Sequence, residues 1–364
     1  LTDLPFIPLA EPWLPPACAE AVRRQVASTF VGPGAASVAF GTAIAEACGV
    51  HAAVPVASGT TALSIALQVL GLQPGDEVIV PAYGVISVIN AVAFIGLIPR
   101  LCDIDRATGN IDPACLENAI TDQTKAVVFV DFGGSIGPDL DAAAEICSRR
   151  CVLLVEDAAW ALGRGSGDRR GGAFGDIGCT SFSVPKLVTT GQGGAVLVHD
   201  EAQREAAVCL SDQGDTTWRQ TNITRGIGAN VRLSDVAAAL GLAQIEALDE
   251  RIARKARAHA VLDRHLGSRL LRASDGDPPM QNVVFLEDPG AAIPTLRAQA
   301  IAAARPYRPF WDHPPYAHLK DRDFPAAEFW GRHAMFLPFG IGLSEDQADR
   351  VGRAAAALNG RFLT

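Results

Sequence analysis

Lys186 stands in the stretch SFSVPKLVTTGQGGA (181–195), after an apolar run and a proline and before a threonine- and glycine-rich turn. Of the 31 basic residues only Lys125, Lys186, Lys255 and Lys320 are lysines. So strong a preference for arginine leaves two readings: an amine that can lose its proton is wanted here, or a residual lysine snorkels from a strand end. A second candidate is VPVASGTTALSIALQVLGL (54–72), a strand running through Ser58, Gly59, Thr60 and Thr61 directly into a helix. Free amides at a helix start, a glycine that permits close backbone approach and two threonine hydroxyls favour a phosphate monoester. The plainer alternative is that Ser58 or Thr60 only caps the helix. Neither GxGxxG nor GxxxxGK[ST] occurs there, which argues against dinucleotide and nucleoside-triphosphate binding. A third candidate is VLLVEDAAWALG (152–163), where an apolar strand ends in Glu156 and Asp157. A carboxylate at such a strand end can hold a protonated ring nitrogen or a metal. Without clustered histidines the metal is disfavoured, and the remaining alternative is an exposed acid capping a turn. A reactive amine, a phosphate cradle and a strand-end carboxylate are together the three fixtures that pyridoxal phosphate needs.

The elements that must position these groups are legible as well. Between about residues 50 and 200, β-branched runs alternate with helix-like stretches, the pattern of βαβ units on a mostly parallel sheet. Residues 52–58, 76–82, 98–104, 125–132, 151–157, 179–184 and 193–200 read as buried strands. Helical spacing fills the intervals, with Asp112 and Asp139 as caps of two helices. Residues 233–266 form one long amphipathic pattern with Ser234 at its start, and a last helix begins at LSEDQADRV (343–351). The expected division is a large α/β domain over 1–245, including an N-terminal segment, and a small C-terminal domain over 246–364.

With 364 residues, 49% hydrophobic and 20% charged, the chain has the composition of a globular protein large enough for a sizeable core. A net charge of −9 argues against a nucleic-acid or anionic-membrane surface, so any anionic ligand needs a local site. No apolar run is long enough to span a bilayer and LTDLPFIPLAEPW lacks the order of a signal peptide, so a cytoplasmic location is expected. The eight cysteines are scattered without disulfide spacing; Cys147 and Cys151 have no neighbouring histidine, and no metal site is expected. The cysteines read as small buried hydrophobes.

On several ordered motifs the chain resembles the DegT/DnrJ/EryC1/StrS aminotransferases, which are pyridoxal-phosphate enzymes of fold type I. They are SGTTAL (58–63), PGDEVIVPAYGVIS (74–87), CDIDRATGNID (102–112), EDAAWALG (156–163), GAFGDIGCTSFSVPKLVTTGQGGAV (172–196), IGANVRLSDVAAALGLAQIEALD (227–249) and FLPFGIGLSEDQADRV (336–351). The resemblance implies an aspartate-aminotransferase-like α/β fold: a mostly parallel central sheet flanked by helices, plus a smaller α+β C-terminal domain. It implies Lys186 as the Schiff-base lysine and proton shuttle, and Asp157 as the partner of the pyridine nitrogen. Gly59, Thr60, Thr61 and Ser181 would hold the phosphate, and Asn230 of the N-x-R motif would reach the cofactor of a neighbouring subunit, making an obligate homodimer with shared sites.

Four positions depart from the family pattern. Val85 stands where an aromatic usually stacks on the ring, and Trp160 where Gln or His usually meets the phenolic oxygen; an indole N–H can donate there but not accept. Asp131 and Gly133 replace the His and Tyr of V-H-x-Y-G. Ordinary divergence and a pocket remodelled for an unusual acceptor both account for these changes. In ARPYRPFWDHPPY (304–316), which resembles the family's substrate segment, Trp311 replaces a common histidine, and Arg305 and Arg308 are candidates for a diphosphate or a donor carboxylate; a solvated basic face is the alternative. The expected activity is amino transfer from L-glutamate or L-glutamine to a keto group on a nucleotide-activated deoxysugar. The rivals are a keto-cyclitol or aminobenzoate precursor as acceptor, and a non-catalytic homologue that binds cofactor or sugar nucleotide without turnover.

Overall fold

The computed structural model describes residues 4–166, 169–273, 278–358 and 362–363. Seven apolar runs form one sheet: β1 (Ala52–Val56), β2 (Glu77–Pro81), β3 (Ile98–Cys102), β4 (Thr124–Val130), β5 (Leu153–Asp157), β6 (Ile177–Ser181) and β7 (Gly194–Val198). Their order is β1-β7-β6-β5-β4-β2-β3, and every pairing is parallel except the two made by β7. This is the mostly parallel α/β sheet that the resemblance implies.

Successive residues of a strand point to opposite faces, and here both faces are covered, so the strands read as unbroken apolar runs. Val78, Val80, Val196 and Val198 face a core shared with Ala62, Ile65 and Ala66 of the Gly59–Val69 helix. On the other face Ile79, Val127 and Phe129 meet Leu116, Leu140 and Ile146, and Ala195 and Leu197 meet Phe40, Ile44 and Ala238. A second core lies around the antiparallel pair β8 (Asn282–Phe285) and β9 (Ala334–Leu337), where Val284, Leu286, Met335 and Leu337 pack against Leu262, Leu296 and Val351. The last helix, Glu345–Ala356, starts at a capping box made by Ser344 and Gln347.

The structure corrects several local expectations. The pattern over 233–266 is two helices, Asp235–Ile245 and Leu248–Leu266. The first packs against the Pro16–Ala27 and Ala35–Cys48 helices and the second on the β8/β9 core, so one straight rod cannot serve both. Ser234 caps the first as expected, through the Ala237 amide. Asp112 also caps, through the Ala114 amide, but Asp139 lies inside the first turn of the Pro138–Arg150 helix and accepts from the Thr108 hydroxyl instead. The strand expected over 179–184 spans 177–181 and leaves Phe182 to Lys186 in a turn. Cys151 is exposed rather than buried, and all eight thiols are free. Among the described residues no helix is long and apolar enough to cross a membrane.

Candidate active site

The carboxyl ends of the central strands bring the three fixtures together. Asp157 is the last residue of β5, paired in register with Val130 of β4 and Cys179 of β6. It is 8% exposed, and its Oδ1 accepts the Ala159 amide at 3.1 Å. Burial pushes its carboxyl up, while the charge of Lys186 and the Ala159 hydrogen bond pull it back down. Lys186, also 8% exposed, stands in the turn after β6. Burial brings its amine down to about 7 against the opposing field of Asp157. An amine in that range spends much of its time unprotonated near neutral pH, as a nucleophile must.

The phosphate cradle is built on the Gly59–Val69 helix. Ser58 Oγ accepts the Thr61 amide at 3.1 Å and shares a 2.8 Å hydrogen bond with Thr61 Oγ1, so Ser58 is the cap. The amides of Gly59 and Thr60, ahead of that bond, have no carbonyl of the helix within reach. Gly59 lies so close to Ser181 that a Cβ on it would stand 2.7 Å from Ser181 Cβ. The contact sets the Ser181 hydroxyl beside the helix start, and these donors match a phosphate monoester. Thr60 and Thr61 line a cavity of about 810 Å³ with Gly228, Ala229 and Val231. Asn230 lies within that segment, between Ala229 and Val231; it is exposed and accepts from Arg232 at 2.9 Å.

What holds Lys186 in place was not apparent from sequence. Gln244 donates to the Thr189 carbonyl at 2.6 Å and accepts its amide at 3.0 Å. Arg251, wholly buried, donates to the Leu187 carbonyl at 2.6 Å, to Gln244 Oε1 at 3.1 Å and to the Trp13 carbonyl at 2.9 Å. The two helices created by the break near residue 246 thus grip the turn that carries the lysine. The one signal for this was a lone amide in the apolar stretch AAALGLAQI.

Of the four departures, Trp160 lies against Lys186 itself, whose Nζ lies 3.6 Å from the indole centroid. Asp131, wholly buried, lies beside Glu156, which accepts the amides of Gly172, Phe174 and Gly175. Gly133 and Gly134 are both left-handed, at φ 62° and 78°, a turn that bulky side chains resist. Val85 lines a cavity of about 560 Å³ with Arg305, Tyr307, Arg308 and His313. His313 is an addition to the sequence-derived set; it had no partner motif to mark it. Arg305 donates to the carbonyl of Arg332 at 2.8 Å, and Arg308 pairs with Asp312 at 3.7 Å. Trp311 does not line this cavity: it stacks on Phe324 at 5.1 Å with Lys320 on its ring. Among the described residues no cluster of acidic, histidine or cysteine side chains could hold a metal.

Comparison with known proteins identifies the family. A family model described as the DegT/DnrJ/EryC1/StrS aminotransferase family matches residues 16–356. GDP-perosamine synthase of Caulobacter vibrioides is 35% identical, over 96% of this chain and 98% of its own. L-glutamine:scyllo-inosose aminotransferase of Streptomyces griseus is 36% identical over 65% of this chain and 58% of its own. The crystal structure of the aminotransferase TlmJ from Streptoalloteichus hindustanus superposes with a TM-score of 0.90 at 30% identity, covering 96% of this chain and 98% of that one. The protein is an aminotransferase and belongs to the DegT/DnrJ/EryC1/StrS family, whose members depend on pyridoxal phosphate.

Proposed function

We propose that this enzyme moves an amino group from L-glutamate or L-glutamine to a keto group of a nucleotide-activated deoxysugar, with pyridoxal phosphate held by the residues above. The observation that carries the acceptor is the cavity at Val85, where two arginines and a histidine line a space of about 560 Å³ at the edge of the site. Guanidinium groups bind the oxyanions of a diphosphate or a carboxylate bidentately. Pyridoxal phosphate supplies an aldehyde that captures the amino group and a ring that accepts the electrons of the broken bond. Gly59, Thr60, Thr61 and Ser181 hold its phosphate, and Asp157 holds a proton on its ring nitrogen. Lys186 Nζ would move a proton from the donor's Cα to the cofactor carbon in the first half-reaction, and from that carbon to the acceptor carbon in the second. Val85 and Trp160 bound the space in which this happens.

The protein acts as a homodimer with shared sites, in the cytoplasm. Phe94 and Ile227, 89% and 96% exposed, line the same cavity as Thr60 and Thr61. Exposed apolar groups beside a phosphate cradle favour cover by a second copy, which would bring Asn230 to the neighbouring cofactor. Light scattering of the purified protein tests this, and a monomer counts against it.

A second reading, amination of a keto-cyclitol without a nucleotide, draws on the inosose-type relative and on the fact that Arg305 and Arg308 already have protein partners. The experiment is a panel of sugar-nucleotide ketones and keto-cyclitols with glutamate and glutamine as donors. The wild-type protein should be yellow with pyridoxal phosphate and change its visible absorbance with donor, and Lys186→Ala should lose both properties. A protein that stays colourless in excess pyridoxal phosphate would sink the whole reading.

A further inference from the structure

The departure at residue 160 has a specific geometry. Among the described residues Lys186 Nζ makes no hydrogen bond and no ion pair, and the closest stabilising group is the face of Trp160, 3.6 Å from the amine. Both side chains are 8% exposed, so solvent does little to replace that contact. A cation set over an aromatic face is attracted by the ring quadrupole, most strongly for tryptophan and where water is excluded. The indole cannot swing away. Its ring meets Phe339 edge-on at 5.8 Å, and the Phe339 carbonyl is held by Lys255 and its amide by the Leu9 carbonyl. Its own carbonyl abuts Gly134, where a Cβ would come within 2.4 Å of the oxygen.

We propose that Trp160 is a positioning residue that seats the protonated amine of Lys186 on its indole face, doing by ring electrostatics what a hydrogen-bonding side chain at this position does not do here. The proposal rests on Lys186 being the cofactor-binding lysine. Once the released amine has taken up the donor's Cα proton, the indole face holds the resulting ammonium within reach of the carbon that receives the proton. Two other titratable groups face the amine: Asp157 at the end of β5, whose negative charge favours the ammonium, and the Cys179 thiol on β6. Trp160 adds a component that carries no charge and does not titrate.

The seat predicts a shift in the amine's own titration. Trace acetylation with acetic anhydride across the pH range, on full-length protein loaded with pyridoxamine phosphate so that Lys186 is a free amine, read at the Lys186 peptide by mass spectrometry, gives the midpoint of the amine without reference to activity. In Trp160→Leu, which keeps an apolar side chain and removes the ring, the midpoint is expected to fall by about one unit or more. In Trp160→Phe it should stay close to wild type, because a ring face remains. Equal midpoints in wild type and Trp160→Leu would overturn the proposal, and so would equal shifts in the Leu and Phe variants, which would mark packing alone. Should Trp160→Leu not fold, tryptophan emission of the wild type is compared with Lys186→Met over the same range. A transition in the wild type that Lys186→Met lacks supports the seat, and its absence overturns it. The aminotransferase reading fails separately, by the wild type remaining colourless with pyridoxal phosphate.

Discussion

Replacing Asp131 by asparagine is expected to stabilise the protein increasingly as pH rises, an unusual sign for the removal of a buried charge-bearing group. Asp131 and Glu156 are both completely buried. Glu156 accepts three backbone amides, at 2.6 Å from Gly172, 2.7 Å from Phe174 and 3.3 Å from Gly175, whereas neither oxygen of the Asp131 carboxyl meets an N–H or hydroxyl donor among the described residues. Its remaining partner is Glu156 itself, so one proton lies between the two and resides on Asp131, the acid without amides. Burial and then the Glu156 charge push the Asp131 carboxyl well up, with Asp157 adding to the push and Arg164 opposing it. The folded chain therefore keeps a proton that the unfolded chain releases above the ordinary carboxylate range. Stability falls with rising pH by up to about 1.4 kcal/mol per unit until the folded group also ionises. An asparagine offers Glu156 an N–H in place of the O–H and does not titrate. The gain of Asp131→Asn over wild type should thus be small near about pH 4 and grow toward neutrality at that slope. Urea midpoints of both proteins at a series of pH values, with protein and cofactor concentrations fixed, measure it. A difference that is flat with pH, or that shrinks as pH rises, refutes the shared proton.

Gly59→Ala should force Ser181 away from the cradle, since the added Cβ stands 2.7 Å from Ser181 Cβ and 3.0 Å from its hydroxyl. Overpacking of that kind costs about 1–3 kcal/mol, read as weaker pyridoxal-phosphate binding in a spectrophotometric titration. Arg308→Ala should raise KM for an anionic acceptor and leave the donor-driven absorbance change intact. An unchanged acceptor KM would remove the arginine from the acceptor site. Lys255 is buried without an acidic partner in its hydrogen-bond set, donating to Asn282 at 3.2 Å and Phe339 at 3.3 Å, and burial brings it down to about 7. The unfolded chain then binds the extra proton between about pH 7 and pH 10, so stability rises with pH across that window, and Lys255→Met should flatten the rise in the cofactor-loaded protein, measured by urea unfolding.

The chemistry was more legible in the sequence than the machinery that aims it. The Lys186 turn, the strand-end Asp157 and the SGTT helix start could be read because each is a short local signal, a strand or turn with a candidate residue at its end. The break near residue 246 was hidden because 3.6-residue periodicity continues through it. The break shows only in the packing, with Ala238 and Ile245 in one core and Val261 and Leu262 in another. Asp139 had the residue type of a cap but sat one position too far into the helix, after Pro138. Gln244, Arg251 and His313 are joined to the site only through contacts across long stretches of chain, and single-sequence spacing carries no trace of such contacts. Trp160 was visible as a departure, but the direction of its ring belongs to tertiary structure.

The grip of Arg251 on the lysine turn also orders events in the life of the chain. One side chain ties Trp13 near the N-terminus to Leu187 and to Gln244. A nascent polypeptide that has emerged only as far as the lysine has the nucleophile but not its aim. On the proposed function, the turn that carries Lys186 is set for pyridoxal phosphate only once both helices have docked on it.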